Sequence, residues 1–128
     1  MSEKIRILYV DDEPDIRLIV ELALRIRPEI EVRTAESGEQ ALEVLEAGDW
    51  LPDLAMVDVM MPGLTGPDVL AAILADPKLA KIPVVFVTAR ARPQDVRSYI
   101  DQGARSVITK PFDPMALGEQ VVALLDQA

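Results

Sequence analysis

The 128-residue sequence contains no cysteine and no histidine. Without cysteine it offers no disulfide, no thiolate metal site and no cysteine nucleophile. Without histidine it has no imidazole base, no histidine-ligated zinc site and no phosphohistidine of its own. Any chemistry must therefore use carboxylates, hydroxyls, lysine, backbone groups or a bound cofactor.

Long apolar runs and positive charge are also scarce. No apolar stretch approaches the ~20 residues needed to span a bilayer, and the first residues lack the pattern of a signal peptide. The 13 basic residues are outnumbered by 22 acidic ones, which gives a formal net charge of -9. Such a charge repels nucleic-acid phosphates and attracts cations and basic partners. We expect a cytoplasmic protein without membrane insertion or direct nucleic-acid binding.

Five short apolar segments alternate with five amphipathic stretches. The apolar segments cover residues 5–10, 31–35, 54–59, 83–88 and 106–109. Most are near-continuous apolar runs, typical of strands buried on both faces, whereas 31–35 is more polar, as on an edge strand. The stretches between them carry apolar residues at helical spacing. The alternation predicts a doubly wound α/β fold, and we expect one domain over residues 1–128 with no output domain.

Two short motifs predict where helices begin. Ser37 with Gln40, and Thr65 with Asp68, have the spacing of capping boxes, in which each side chain bonds the other residue's backbone N–H. Both motifs precede apolar positions at helical spacing. We therefore expect the second and third helices to begin there.

Polar side chains follow four of the predicted strands. Asp11 and Asp12 come after the first strand, Asp58 ends the third, Thr88 ends the fourth and Lys110 follows the fifth. Sites in such sheets form at the carboxyl ends of the strands. Clustered carboxylates repel one another, and a hard divalent cation such as Mg²⁺ relieves that repulsion. The sequence therefore predicts a magnesium site beside a hydroxyl and an ammonium group.

Four strings carry a family resemblance: Tyr-Val-Asp-Asp-Glu at 9–13, Asp-Val-Met-Met-Pro-Gly at 58–63, Val-Thr-Ala at 87–89 and Lys-Pro-Phe at 110–112. Together they resemble the signature of CheY-like receiver domains of two-component response regulators. Their order and spacing agree over essentially the whole chain. The resemblance implies a flavodoxin-like (βα)5 fold with strand order 2-1-3-4-5. It also implies a stand-alone phosphoacceptor in signal transduction, which catalyses only its own phosphorylation and dephosphorylation.

The resemblance assigns roles at the metal site. Asp58 would be the phosphoacceptor and a ligand of Mg²⁺ or Mn²⁺. Asp12 would bind the ion directly, Asp11 would act mainly through water, and the backbone carbonyl of Met60 would add a ligand.

Other roles concern the phosphoryl group. Thr88 would donate its hydroxyl to one phosphoryl oxygen and Lys110 would pair with another. Lys110–Pro111 is expected to be a cis peptide. The loop that begins at Ala89 would shift with Thr88 on activation.

The resemblance also implies partners. A sensor histidine kinase or histidine phosphotransfer protein would supply the phosphoryl group. A downstream protein would bind the face formed by the fourth helix, fifth strand and fifth helix, and a homodimer through this face is a further expectation. This face would carry Arg92, Arg97, Tyr99, Arg105 and Val107.

One position departs from the family pattern, and two variable positions would set the lifetime of the phosphoryl group. Val107 lies where an aromatic residue often swings inward, so signalling would rely on Thr88, its loop and the fourth helix. Met60 and Arg90 would border the path of attacking water. Methionine cannot orient that water and arginine could shield the phosphoryl group, so we predict slow autodephosphorylation.

Three alternatives remain open from the sequence. A haloacid-dehalogenase-like phosphatase also uses an aspartyl phosphate, but it needs a second acid where Met60 stands. A phosphorylation-independent scaffold could keep the fold without the chemistry. A flavin-binding module would need a neutral or glycine-rich phosphate loop where Asp11 and Asp12 lie.

Overall fold

The computed structural model describes residues 4–126, which alternate strand and helix five times. The strands are β1 (Ile5–Val10), β2 (Ile30–Ala35), β3 (Leu54–Asp58), β4 (Val84–Thr88) and β5 (Ser106–Thr109). The helices are α1 (Pro14–Arg25), α2 (Gly38–Ala47), α3 (Gly66–Ala75), α4 (Pro93–Asp101) and α5 (Pro114–Asp126). Across residues 4–126, every helix is too short or too polar to span a bilayer.

The strands form one parallel sheet in the order β2-β1-β3-β4-β5, as the resemblance implied. β2 lies at an edge and is the strand with the more polar sequence, which confirms that expectation. It begins one residue earlier than predicted because Ile30 pairs with Ile5 of β1. β4 begins one residue later than predicted, at Val84. Pro83 lacks an N–H for the ladder, although its carbonyl still accepts from Ala55 N at 3.0 Å.

Each face of the sheet has its own hydrophobic core. Tyr9 of β1 and Val85 of β4 pack on one face with apolar residues of α1 and α5. Leu8 of β1 and Phe86 of β4 pack on the other face with residues of α2 and α3, and Tyr99 of α4 packs against this cluster. Because β1 connects to β2 on one side and β3 lies on its other side, the loops after β1 and β3 diverge. That divergence opens a crevice at the carboxyl edge of the sheet.

The two predicted capping boxes differ in outcome. At α3 the box is complete, because Thr65 Oγ1 accepts from Asp68 N and Asp68 Oδ2 accepts from Thr65 N. At α2 only half of it forms, with Ser37 Oγ accepting from Gln40 N at 3.0 Å. The reciprocal bond was predicted wrongly: Gln40 Oε1 accepts from Glu36 N at 2.7 Å, one residue before the cap. The amide side chain of Gln40 is thus already engaged.

Gly66 is required where α3 begins directly behind β3. A Cβ at Gly66 would lie 2.7 Å from the carbonyl oxygen of Asp58 and 2.9 Å from Val59 Cα, and both are backbone atoms. We therefore expect Gly66→Ala to lower the free energy of unfolding by about 2 kcal/mol or more, as overpacking does. Pro67→Ala, one residue further on, should cost no more than about 1 kcal/mol, chiefly through the entropy of the unfolded chain. Urea unfolding measures the free energy of unfolding of both variants. Equal losses would show that the close approach of Gly66 to the β3 backbone does not limit the stability.

Candidate functional site: an acidic cluster beneath a lysine

The buried carboxylate and threonine side chains within residues 4–126 all lie at one place. The buried polar or charged residues there are Asp11, Asp58 and Thr88, with exposed fractions of 0%, 5% and 2%. Asp11 directly follows β1, Asp58 ends β3 and Thr88 ends β4, so parallel pairing brings all three to the same edge. Burying charge without partners is costly, which makes this edge a strong candidate for a functional site.

Three carboxylates approach one another there. Asp11, Asp12 and Asp58 each offer a carboxylate oxygen, and these oxygens lie within 4.8 Å of one another. Two like charges about 4 Å apart repel by roughly 4 kcal/mol at the effective dielectric of a protein surface. Hard oxygen donors in small number are what Mg²⁺ prefers. The donor set therefore fits the predicted ion.

Lys110 supplies positive charge to this cluster. Its Nζ lies 3.2 Å from Asp11 Oδ2 and 3.3 Å from Asp58 Oδ2. The Lys110 backbone N–H donates to the Thr88 carbonyl at 2.8 Å, which carries the β4–β5 ladder one step past Thr109. The following peptide bond, Lys110–Pro111, is cis, as the resemblance implied.

The carboxylate of Asp11 is surrounded by donors. Tyr9 Oη donates to Asp11 Oδ2 at 2.7 Å, and Glu13 N donates to Asp11 Oδ1 at 3.0 Å. Arg17 Nη1 donates to the backbone carbonyl of Asp11 at 2.8 Å, which ties α1 to the site. The contact of Tyr9 was not predicted from the sequence. The available signal was its position two residues before Asp11 on a strand, which places both side chains on one face.

Burial and charge shift the ionisation of three groups. Burial raises the pKa of Asp58 to about 6; the Lys110 ammonium lowers it in part, and the Asp11 carboxylate adds to the rise. Burial opposes the charge on Lys110, but Asp11 and Asp58 outweigh it, so the pKa of Lys110 is raised. The pKa of Tyr9 lies well above its ordinary value because the phenol is buried and donates to Asp11.

Thr88 and Met60 lie beside the cluster. Thr88 Oγ1 accepts from Arg90 N at 2.9 Å, so the hydroxyl is engaged with its own loop. Met60 N donates to Asp58 Oδ1 at 3.3 Å, while the Met60 side chain is 65% exposed. Ala89 and Arg90 are exposed on the loop before α4.

Val107 lies on β5, away from the carboxylates. It is half-buried and lies opposite Phe86 in the β4–β5 register. The aromatic contact in this region comes instead from α4. Tyr99 packs edge-on against Phe86, with ring centroids 5.2 Å apart and planes at 83°.

An apolar groove borders the site. It has a volume of about 330 Å³ and is lined by Ile16, Ile19, Ala89, Lys110, Pro111, Phe112 and Pro114. Beyond the groove, α1 exposes Leu18 and Leu22, and Ile26, which caps the carboxyl end of α1, is exposed at the same spacing of four residues. These side chains form a contiguous apolar stripe on one face of the helix.

The sheet order and the acidic cluster beneath a lysine define a class of α/β domain with a carboxylate site at the topological switch point. Residues 7–122 match the response regulator receiver domain family. The chain belongs to this family and is a CheY-like receiver domain.

Individual relatives agree with this assignment. The chain is 33% identical over 122 residues to chemotaxis protein CheY of Pseudomonas aeruginosa, covering 95% of this chain and 97% of that protein. It is 35% identical to response regulator Rre1 of Synechocystis, covering 98% of this chain and 53% of that longer protein. The structure of chemotaxis protein CheY4 of Vibrio cholerae superposes with a TM-score of 0.84 at 27% identity, covering 94% of this chain and 98% of that one. The domain thus matches some relatives as a whole and others over about half their length.

The raised pKa of Asp58 predicts a pH-dependent stability. Because its pKa of about 6 exceeds the ordinary 3.8, the folded chain binds this proton more tightly than the unfolded chain. The stability that protonated Asp58 contributes to the folded chain is present below pH ~4 and is lost as pH rises through ~6. Without divalent ions, we expect Asp58→Asn to be more stable than wild type at pH 7 by about 2–3 kcal/mol, with the difference vanishing near pH 4.

Urea unfolding at several pH values in a chelator measures this difference. The matched control is Asp49→Asn, at an exposed carboxylate on the loop after α2. Its free energy of unfolding should stay close to that of the wild type at each pH. A difference between Asp58→Asn and wild type that stays constant from pH 4 to pH 7 would contradict the raised pKa that burial, together with Asp11, gives Asp58.

Proposed function

We propose that residues 1–128 act as a single cytoplasmic receiver domain that accepts a phosphoryl group on Asp58 and thereby switches a protein-binding face. The observation that carries the proposal is the buried Asp58 carboxylate, 3.3 Å from Lys110 Nζ within a cluster of three acids. A nucleophilic carboxylate beside a cation and a metal-binding donor set is suited to phosphoryl transfer.

In the proposed reaction, a carboxylate oxygen of Asp58 attacks the phosphorus of a phosphohistidine on a partner protein. The new O–P bond forms as the N–P bond breaks, and the partner's imidazole keeps the electron pair and takes up a proton. Mg²⁺ or Mn²⁺, held by Asp12, Asp58 and the Met60 carbonyl and by Asp11 through water, would neutralise charge on the phosphoryl oxygens. Hydrolysis of the aspartyl phosphate returns the domain to its starting state.

Lys110 and Thr88 act on the transferred group. Lys110 Nζ already lies beside Asp58, so it can turn from its carboxylate partners to donate to one phosphoryl oxygen. The Thr88 hydroxyl, which accepts from Arg90 N, can rotate to donate to another phosphoryl oxygen. That rotation would release the Arg90 N–H and move the loop that begins at Ala89.

The loop after Thr88 leads into α4, which is loosely packed. No residue of α4 is buried, so the helix can shift with small loss of core contacts. With Val107 on β5, the shift proceeds without an aromatic swing on that strand. The output surface for a downstream protein, or for a homodimer, is then the face of α4, β5 and α5, which includes Arg92, Arg97, Tyr99, Arg105 and Val107.

The phosphodonor must reach Asp58 from outside. A sensor histidine kinase or histidine phosphotransfer protein would carry the phosphohistidine. Lys110 lines the apolar groove, and α1, which contributes Ile16 and Ile19 to the groove, also carries exposed Leu18 and Leu22. A protein donor can therefore bury apolar surface beside the acceptor while its histidine faces the cluster.

Acetyl phosphate labelling tests the proposed function. We expect intact-protein mass spectrometry to detect one phosphoryl adduct on the wild type in the presence of Mg²⁺. The adduct should disappear with chelator and in Asp58→Asn, and should remain in Asp49→Asn. A folded wild type that accepts no phosphoryl group from acetyl phosphate or from a phosphorylated histidine kinase would contradict the proposal and favour a scaffold role.

The lifetime of the adduct tests the roles of Met60 and Arg90. The exposed Met60 side chain cannot orient water, whereas an amide there could, so we expect Met60→Asn to speed loss of the phosphoryl group several-fold. Arg90→Ala should also speed it by opening the approach of water. Met115→Asn, at another exposed methionine on α5, should leave the rate unchanged. If the phosphoryl group were lost at the same rate from all these variants and the wild type, Met60 and Arg90 would have no role in its lifetime.

A further inference from the structure

We propose that Tyr9 is a positioning residue for the magnesium site, whose hydroxyl fixes the carboxylate of Asp11. The inference rests on the proposed function, because it concerns the same Mg²⁺ site. Tyr9 lies on β1, two residues before Asp11, and is fully buried. Its Oη donates to Asp11 Oδ2 at 2.7 Å. Hydrogen bonds from a hydroxyl to a carboxylate at such lengths are among the stronger ones in proteins.

The donors around Asp11 determine which lone pairs it can offer. A carboxylate oxygen has two lone-pair directions. Asp11 Oδ2 receives both Tyr9 Oη and Lys110 Nζ, at 2.7 and 3.2 Å, which fills its two directions. Asp11 Oδ1 receives Glu13 N at 3.0 Å and keeps one direction open. Asp11 therefore presents a single, oriented acceptor from Oδ1, which suits a water bound to Mg²⁺.

Lys110 alone would not hold that orientation. It bridges Asp11 and Asp58, so it moves when a phosphoryl group arrives between them. Tyr9 is anchored in the core on the α1–α5 face of the sheet, so we expect it to stay in place when Asp58 is phosphorylated. The phenol thus keeps Asp11 in place while the ammonium changes partner. Groups that orient metal ligands in this way typically affect metal affinity by about 10- to 100-fold.

The chain provides a matched pair of variants, because it contains two tyrosines. Tyr9→Phe removes the hydroxyl that bonds Asp11 and preserves the ring in the core. Tyr99→Phe removes a hydroxyl on α4 and preserves the edge-on contact with Phe86. Titration calorimetry with Mg²⁺ alone, without a phosphodonor, measures the dissociation constant directly. We expect it to rise about 10-fold or more in Tyr9→Phe and to stay unchanged in Tyr99→Phe.

A thermodynamic cycle separates positioning from general destabilisation. If the hydroxyl acts through Asp11, adding Tyr9→Phe to Asp11→Asn should not weaken Mg²⁺ binding further. A Tyr9→Phe protein that unfolds at a lower temperature yet binds Mg²⁺ as the wild type does would overturn the inference, since the hydroxyl would then be structural only. Should Tyr9→Phe fail to fold, fluorotyrosine incorporated in the Tyr99→Phe background places fluorine on the ring of Tyr9 alone and makes its hydroxyl a stronger hydrogen-bond donor to Asp11. An unchanged Mg²⁺ affinity there would overturn the inference equally.

The two proposals fail in different ways. A folded wild type that binds no Mg²⁺ would contradict the proposed function, and the role of Tyr9 would fall with it. A wild type that binds Mg²⁺ and accepts a phosphoryl group at Asp58, with Tyr9→Phe binding the ion equally well, would contradict the role of Tyr9 alone.

Discussion

The ammonium of Lys110 between Asp11 and Asp58 is the interaction on which the site depends. Each carboxylate lies about 3.2–3.3 Å from Nζ, and both are buried. Without this cation, two buried negative charges would face each other across the crevice with only hydrogen bonds to compensate them. Burial of the Asp58 carboxylate, with a smaller contribution from Asp11, still raises the pKa of Asp58, so Lys110 compensates the buried negative charge only in part. The proposed divalent cation would add the positive charge that the cluster lacks.

The parallel sheet makes this arrangement possible. Asp11 and Lys110 are 99 residues apart in sequence, yet both follow strands that end at the same edge. The apolar interiors of β1, β3 and β4 fix the register, so that Asp58 lies opposite Val87 and one step from Thr88. Gly66 allows α3 to begin against the backbone of Asp58. The backbone packing that fixes the fold thus also holds the buried polar side chains of the proposed site.

The sequence alone predicted the alternation of strands and helices and the edge at which Asp58, Thr88 and Lys110 gather, because both follow from apolar patterning and strand ends. Strand order came from the family resemblance, since periodicity does not specify neighbours. The Gln40 bond to Glu36 and the Tyr9 bond to Asp11 were not predicted. Both depend on side-chain rotamers chosen by three-dimensional packing. The contact of Tyr99 with Phe86 joins separate elements and leaves no local signal.

The most direct test of the central claim is a crystal structure with Mg²⁺ and beryllofluoride, a mimic of the phosphoryl group. The account predicts beryllofluoride on Asp58, with Mg²⁺ bound by Asp12, Asp58 and the Met60 carbonyl. Lys110 should turn toward a fluoride, and Asp11 should remain hydrogen-bonded to Tyr9 and reach the ion through water. An ion bound elsewhere, or an Asp58 that takes no adduct while Lys110 keeps both of its carboxylate partners, would contradict it.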